Sequence, residues 1–64
     1  MKNKYLALAV DLLGGPTKTA IKVEASTSAV HHWLTQGGVA KKSTAIQLGK
    51  LSGVDFKLLL RSGA

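Results

Sequence analysis

The residues best suited to chemistry in this chain lie in the stretch STSAVHHWLTQG, residues 26–37. Two adjacent histidines, His31 and His32, precede the only tryptophan, Trp33. Histidine binds metal ions, transfers protons and contacts nucleic acid. The pair could therefore belong to a metal site, a catalytic pair or a binding surface, and the element that carries it decides between them.

The sequence disfavours both a metal site and a catalytic site. Adjacent residues of a helix point about 100° apart, so His31 and His32 are poorly placed to share one ion. The chain has no cysteine, and no carboxylate stands beside the pair, whereas zinc needs three or four ligands. A catalytic base needs a third group to orient it. We predict no metal, no cofactor and no enzyme activity.

Helical periodicity divides residues 26–36 into two faces. Ser26 is a natural N-cap, and Gly37-Gly38 ends the segment. The apolar side is formed by Ala29, Val30, Trp33 and Leu34. The opposite side, within about 100° of arc, is formed by Ser28, His31, His32 and Thr35. We therefore expect Trp33 to pack in the core, and contact of at least one histidine with a binding partner is favoured over a merely solvated or packed pair.

Glycines separate the rest of the chain into short helical segments. We predict helices over 3–13, 16–24 and 41–52, in addition to 26–36. The tail, 54–64, is ambiguous: its apolar residues alternate as in a strand, but Asp55 as an N-cap favours a short helix, which we adopt. The prediction is a single all-α domain of four to five helices over residues 1–64.

The apolar stripes of these helices predict the core. Leu6, Val10 and Leu13 form one stripe in the first segment, which Leu8, Ala9 and Leu12 widen, so we expect that helix to be well covered. In the fourth segment Ala45, Leu48 and Leu51 recur on one side. Gly49 weakens that helix by about 1 kcal/mol relative to alanine.

Composition points to a polyanionic partner. Nine Lys and Arg residues oppose three acidic residues among 64, a formal net charge of +6. Such a bias favours nucleic acid first and an anionic membrane second. The apolar run from Tyr5 to Leu13 is interrupted by Asp11 and is shorter than the roughly 20 residues of a membrane span. We expect the protein in the cytoplasm.

Segments 16–24 and 26–36 have the dimensions of a helix-turn-helix, with Ala20 as the small residue that lets the two helices approach. The pattern GGPTKTA followed by STSAVHHWL resembles the helix-turn-helix of Cro-type phage repressors, in their all-helical branch, and of short antitoxin-like regulators. The matching residues are Thr17, Ala20, Ser26, Ala29, Val30, Trp33 and Leu34. The resemblance covers residues 14–38, and 39–53 more loosely.

The resemblance implies a position on DNA for each polar group. The helix 26–36 would enter the major groove, with base or phosphate contacts from Ser26, Thr27, Ser28, His31, His32 and Thr35. Backbone contacts would come from Thr17 and Lys18, helped by the start of their helix, and from Lys41 and Lys42. No Arg, Asn or Gln precedes Gln36 on this face, so the side chains that form strong bidentate hydrogen bonds to a base edge are missing. Affinity should rest on lysines and phosphates.

The turn departs from the family pattern in three places. Glu24 stands where glycine is usual, and a positive φ there would cost about 1 kcal/mol. Ala25 replaces a larger aliphatic residue. Ile21 replaces a commonly polar one, and we expect it to pack against the first helix or a partner.

The resemblance implies transcriptional repression in the cytoplasm of a bacterial host by a phage or prophage protein that occludes a promoter. It would bind as a dimer, with its two recognition helices in major grooves about 34 Å apart. The expected dimer surface is the tail, through Phe56, Leu58, Leu59 and Leu60. Two alternatives stay open. One is an antitoxin-like autoregulator of a bacterial operon, and the other is a cationic amphipathic module that binds a membrane or a partner protein.

Overall fold

The structure, a computed structural model, describes residues 3–61 and confirms the all-α fold. Its helices are Lys4–Leu12 (α1), Pro16–Lys22 (α2), Thr27–Gln36 (α3), Lys42–Ser52 (α4) and Phe56–Leu59 (α5). α2 packs against α3, α4 packs against α5, and α1 contacts α2, α4 and α5. Residues 1–2 and 62–64 of the predicted domain, including the end of its tail, lie outside the described residues.

Local capping fixes the start of α1 and the ends of α3 and α4 at the predicted residues. The Asn3 side-chain oxygen accepts hydrogen bonds from the backbone N–H groups of Tyr5 and Leu6, at 3.0 and 3.1 Å. The same side chain donates to the Leu58 carbonyl at 2.7 Å, which ties α1 to α5. Gly37 and Gly53 end α3 and α4 in the left-handed conformation.

Over its described residues the tail forms the predicted short helix and no strand. Asp55 caps α5, as expected, by accepting from the Lys57 N–H at 3.0 Å. Leu60 then pairs with Val39 in an isolated parallel bridge. Val39 N–H donates to the Leu59 carbonyl at 2.8 Å, and Arg61 N–H donates to the Val39 carbonyl at 2.9 Å. The tail is thereby anchored to the connection between α3 and α4.

One core draws on every helix. Fully buried side chains come from α1 (Leu6), α3 (Val30), α4 (Leu48) and α5 (Leu59). α2 contributes Ala20, as predicted, and also Thr19, whose hydroxyl donates to the Val10 carbonyl at 3.4 Å. Thr19 and the loop residue Val39 join the core although the helical periodicity indicated neither.

Three leucines that the apolar stripes assign to covered positions are exposed: Leu8 and Leu12 on α1, and Leu51 on α4. The prediction was wrong because the core side of α1 is centred on Leu6 and Val10, and no described element covers the opposite side. Ile21 is also exposed, so it does not pack against α1.

The four tail residues of the expected dimer surface differ in exposure. Leu59 is fully buried in the core of its own chain, so its side chain is not available to a partner. Phe56 and Leu60 are partly buried and pack against the same core, while Leu58 is exposed. Phe56 also lines an open groove of about 410 Å³ beside Gly49.

Gly49 has a packing role that explains its place inside a helix. A Cβ atom at this position would lie 2.8 Å from the Val54 carbonyl oxygen and 3.2 Å from the Phe56 backbone nitrogen. The absence of a side chain therefore lets the segment leading into α5 approach α4 closely.

Gly49→Ala should accordingly lower the melting temperature, although alanine is the better helix former. The gain of about 1 kcal/mol in helix propensity is outweighed by overpacking against backbone atoms, which costs about 1–3 kcal/mol. Thermal unfolding followed by circular dichroism measures the effect, with the exposed neighbour substitution Lys50→Ala as a control that changes stability little. A higher melting temperature for Gly49→Ala would contradict the close approach.

Candidate nucleic-acid interface

α3 has the two faces that its sequence predicts. Val30 is fully buried, and Trp33 and Leu34 are partly buried and pack against the core. The opposite side, which we call the α3 front, consists of Ser28, His31, His32 and Thr35, all of them exposed. The packing of the apolar side fixes the rotation of the helix, and this rotation directs the four polar side chains outward.

Two hydroxyl groups near this surface already have partners within the helix. Ser26 Oγ accepts from the Ala29 N–H at 3.0 Å, which confirms its place as N-cap. Thr35 Oγ1 donates to the His31 carbonyl at 2.9 Å. A hydroxyl has one proton and two lone pairs, so Ser26 can still donate to a ligand, whereas Thr35 can only accept. Thr27 is partly buried at the first helical position.

The turn between α2 and α3 is a Schellman motif. Ala25 N–H donates to the Ala20 carbonyl at 2.8 Å, and Glu24 N–H donates to the Ile21 carbonyl at 3.3 Å. Glu24 takes the left-handed position with φ 56°. The end of α1 repeats the motif with Gly14 in the same position, at φ 100°. The backbone thus adopts at Glu24 a conformation that glycine accepts without strain.

The predicted phosphate-binding residues lie exposed at the starts of α2 and α4. Thr17 and Lys18 belong to the first turn of α2, and Lys41 and Lys42 begin α4. Lys41 is the N-cap of α4 and provides no side-chain cap, because an ammonium group cannot accept a hydrogen bond. The first N–H groups of this 11-residue helix therefore have no side-chain partner.

Two further features were not predicted from the sequence. Ser43 is exposed on the first turn of α4, next to the lysine pair, and adds a hydroxyl donor there. Gln36 Nε2 donates to the Gly38 carbonyl at 2.7 Å, so this side chain is engaged in the connection between α3 and α4. The position of Ser43 could have been predicted from a serine directly after two lysines at a helix start. The Gln36 hydrogen bond depends on the loop conformation, which the sequence does not indicate.

Within 3–61, no three side chains of His, Asp or Glu come together as a group that could hold a metal ion. None of the described helices has the length and apolar character needed to cross a membrane.

Comparisons with protein-family models, curated proteins and solved structures give no match for this chain. The resemblance to Cro-type repressors therefore stays a prediction from the residue pattern of 14–38 and, more loosely, of 39–53.

The strained turn yields a stability prediction. Glu24→Gly should stabilise the fold by about 0.5–1 kcal/mol, since it removes the Cβ atom from a left-handed residue. That gain corresponds to a rise of a few degrees in melting temperature for a domain of this size. Glu24→Ala removes the same charge but keeps the Cβ, so it should not stabilise. An equal rise for both variants would assign the effect to charge instead of backbone strain.

Proposed function

We propose that this protein is a sequence-specific, double-stranded DNA-binding transcriptional repressor of the Cro type, which inserts α3 into the major groove of its operator. The observation that carries the proposal is the two-faced α3, with an apolar side held by the core and an exposed polar front, joined to α2 by a tight turn. A helix of this kind can enter the groove while its own domain keeps it in place.

Charge supports a nucleic acid as the partner. All described lysines and Arg61 are exposed, in a chain of net charge +6. Lysine ammonium groups that replace condensed counterions on phosphates supply sequence-independent affinity. Lys18 is the proposed phosphate contact on α2. Lys41 and Lys42 are the proposed contacts on α4, where unpartnered N–H groups of the first turn add donors for the same anion.

Specificity would come from a small set of single hydrogen bonds. Ser28 and the two histidines offer donors and acceptors to base edges, and the Thr35 methyl group can contact a thymine methyl. Because none of these forms a bidentate pair, the affinity for one sequence over another should be modest relative to the electrostatic affinity. Promoter occlusion needs no further activity from the protein than this binding.

An antitoxin-like autoregulator would use the same surface, and the genes beside its own would distinguish the two roles. A membrane-active module instead needs one continuous amphipathic helix. The longest described helix, α4, has only 11 residues, and its apolar residues Ala45 and Leu48 are buried in the core. We therefore favour DNA as the ligand.

The salt dependence of binding to duplex DNA tests the proposal. The affinity of the wild-type protein should fall steeply with salt, and Lys42→Ala should reduce the slope of log K against log salt by about 1 for each bound chain. Lys57→Ala on α5 removes the same charge outside the proposed contacts and should leave the slope nearly unchanged. Fluorescence anisotropy with a labelled duplex measures both.

Two results would contradict the assignment. A slope near zero for the wild-type protein would exclude phosphate contacts as the main source of affinity. Equal slopes for the Lys42 and Lys57 variants would show that charge acts only through the net balance of the chain.

A further inference from the structure

α1 presents an apolar surface to solvent that the core does not use. Of the six large apolar side chains that are exposed among the described residues, three lie on this helix: Tyr5 at 40%, Leu8 at 48% and Leu12 at 59%. At 100° per residue these three fall within about 60° of arc, so they form a single stripe. The other three, Ile21, Leu51 and Leu58, lie singly on α2, α4 and α5. Single exposed leucines are ordinary, whereas a continuous stripe indicates an interface.

Two opposite charges stand beside the stripe. Lys4 and Asp11 are both exposed, and helical phase places them on the same flank of it. Lys4 Nζ lies 5.4 Å from the centre of the Tyr5 ring, which places this ammonium group alongside the apolar residues. The two charges are seven residues apart, about two helical turns or 10 Å along the axis. We call these five residues the outer α1 face.

The arrangement is self-complementary in one orientation. If two copies of α1 pack face to face and antiparallel, with their two-fold axis beside Leu8, Lys4 of each copy lies level with Asp11 of the other. Leu8 then meets its own copy at the centre, and Tyr5 lies near Leu12 of the partner copy at each end. A parallel pair would instead place Lys4 level with Lys4 and Asp11 level with Asp11. Opposite charges therefore select the antiparallel orientation, which has the two-fold symmetry of an isologous dimer.

We infer that the outer α1 face is the homodimer interface of this protein, formed by antiparallel packing of α1 against α1 of a second copy. The apolar stripe supplies the buried area, and the two Lys4–Asp11 pairs set the orientation. The interface is small and the two copies repel each other through their net charge of +6, so the dimer is weak. The inference does not depend on DNA binding by α3.

Sedimentation equilibrium of the full chain without DNA tests the interface. Between about 10 µM and 1 mM protein, at about 0.15 M salt, the wild-type chain should show a monomer–dimer equilibrium. Leu8→Lys should weaken dimerisation by at least about tenfold, because it places two like charges at the centre of the contact. Leu51→Lys and Leu58→Lys make the same change at exposed leucines elsewhere and should leave the dimer constant within about twofold.

Charge exchange provides a second test that loss of folding cannot imitate. Lys4→Glu alone and Asp11→Lys alone should each weaken the dimer by about three- to tenfold, since each creates two like-charge pairs. An equimolar mixture of the two single variants should recover dimers, because both pairs become attractive between unlike copies. A chain that carries both substitutions should also dimerise at the wild-type level.

A wild-type chain that stays monomeric at the highest concentration would overturn the inference. So would a dimer that survives Leu8→Lys, or one that Leu51→Lys or Leu58→Lys dissociates, since these results would place the contact on α4 or the tail. Failure of the mixed single variants to associate would contradict the antiparallel pairing. Each of these results is independent of whether the protein binds DNA.

Discussion

Burial of side chains from all five helices in one shared core is the interaction on which this structure depends. Helices of four to 11 residues are not stable alone in water, and a chain of 64 residues has little apolar surface to bury. Leu6, Val30, Leu48 and Leu59, from four different helices, are each fully enclosed by the others' elements. Each helix therefore buries one side in the core, and the residues on its other side are exposed and available for binding.

This division between buried and exposed sides explains both the α3 front and the outer α1 face. On α3 the buried side is apolar and the exposed side is polar, which suits a nucleic-acid groove. On α1 the exposed side is itself apolar and has one charge of each sign beside it, which suits packing against a second copy of the chain. The connection between α2 and α3 is held tightly enough to keep Glu24 in the left-handed conformation. The strain is tolerated because two backbone hydrogen bonds close the turn around it.

Helix positions and the α3 front could be predicted from the sequence because both depend on local information: capping residues, glycine stops and the 3.6-residue period. The exposure of Leu8 and Leu51 could not, because the width of an apolar stripe does not reveal which part of it another element covers. Val39 lies in the core beside a bridge to Leu60 in a distant segment, which no local pattern signals. The left-handed conformation of Glu24 could be predicted only through the resemblance, which identifies residue 24 as the turn position where glycine is usual.

The central claim, that the α3 front reads DNA sequence, is tested most directly by selecting bound molecules from a pool of random duplex DNA. The account predicts enrichment of one short sequence, paired as an inverted repeat with its half-sites about one helical turn apart. Ser28→Ala or His31→Ala should change which bases are enriched. Substitution of the lysines should instead change the total amount of DNA retained. A retained pool with no enriched sequence would contradict the claim, since it would leave α3 with no part in recognition beyond charge.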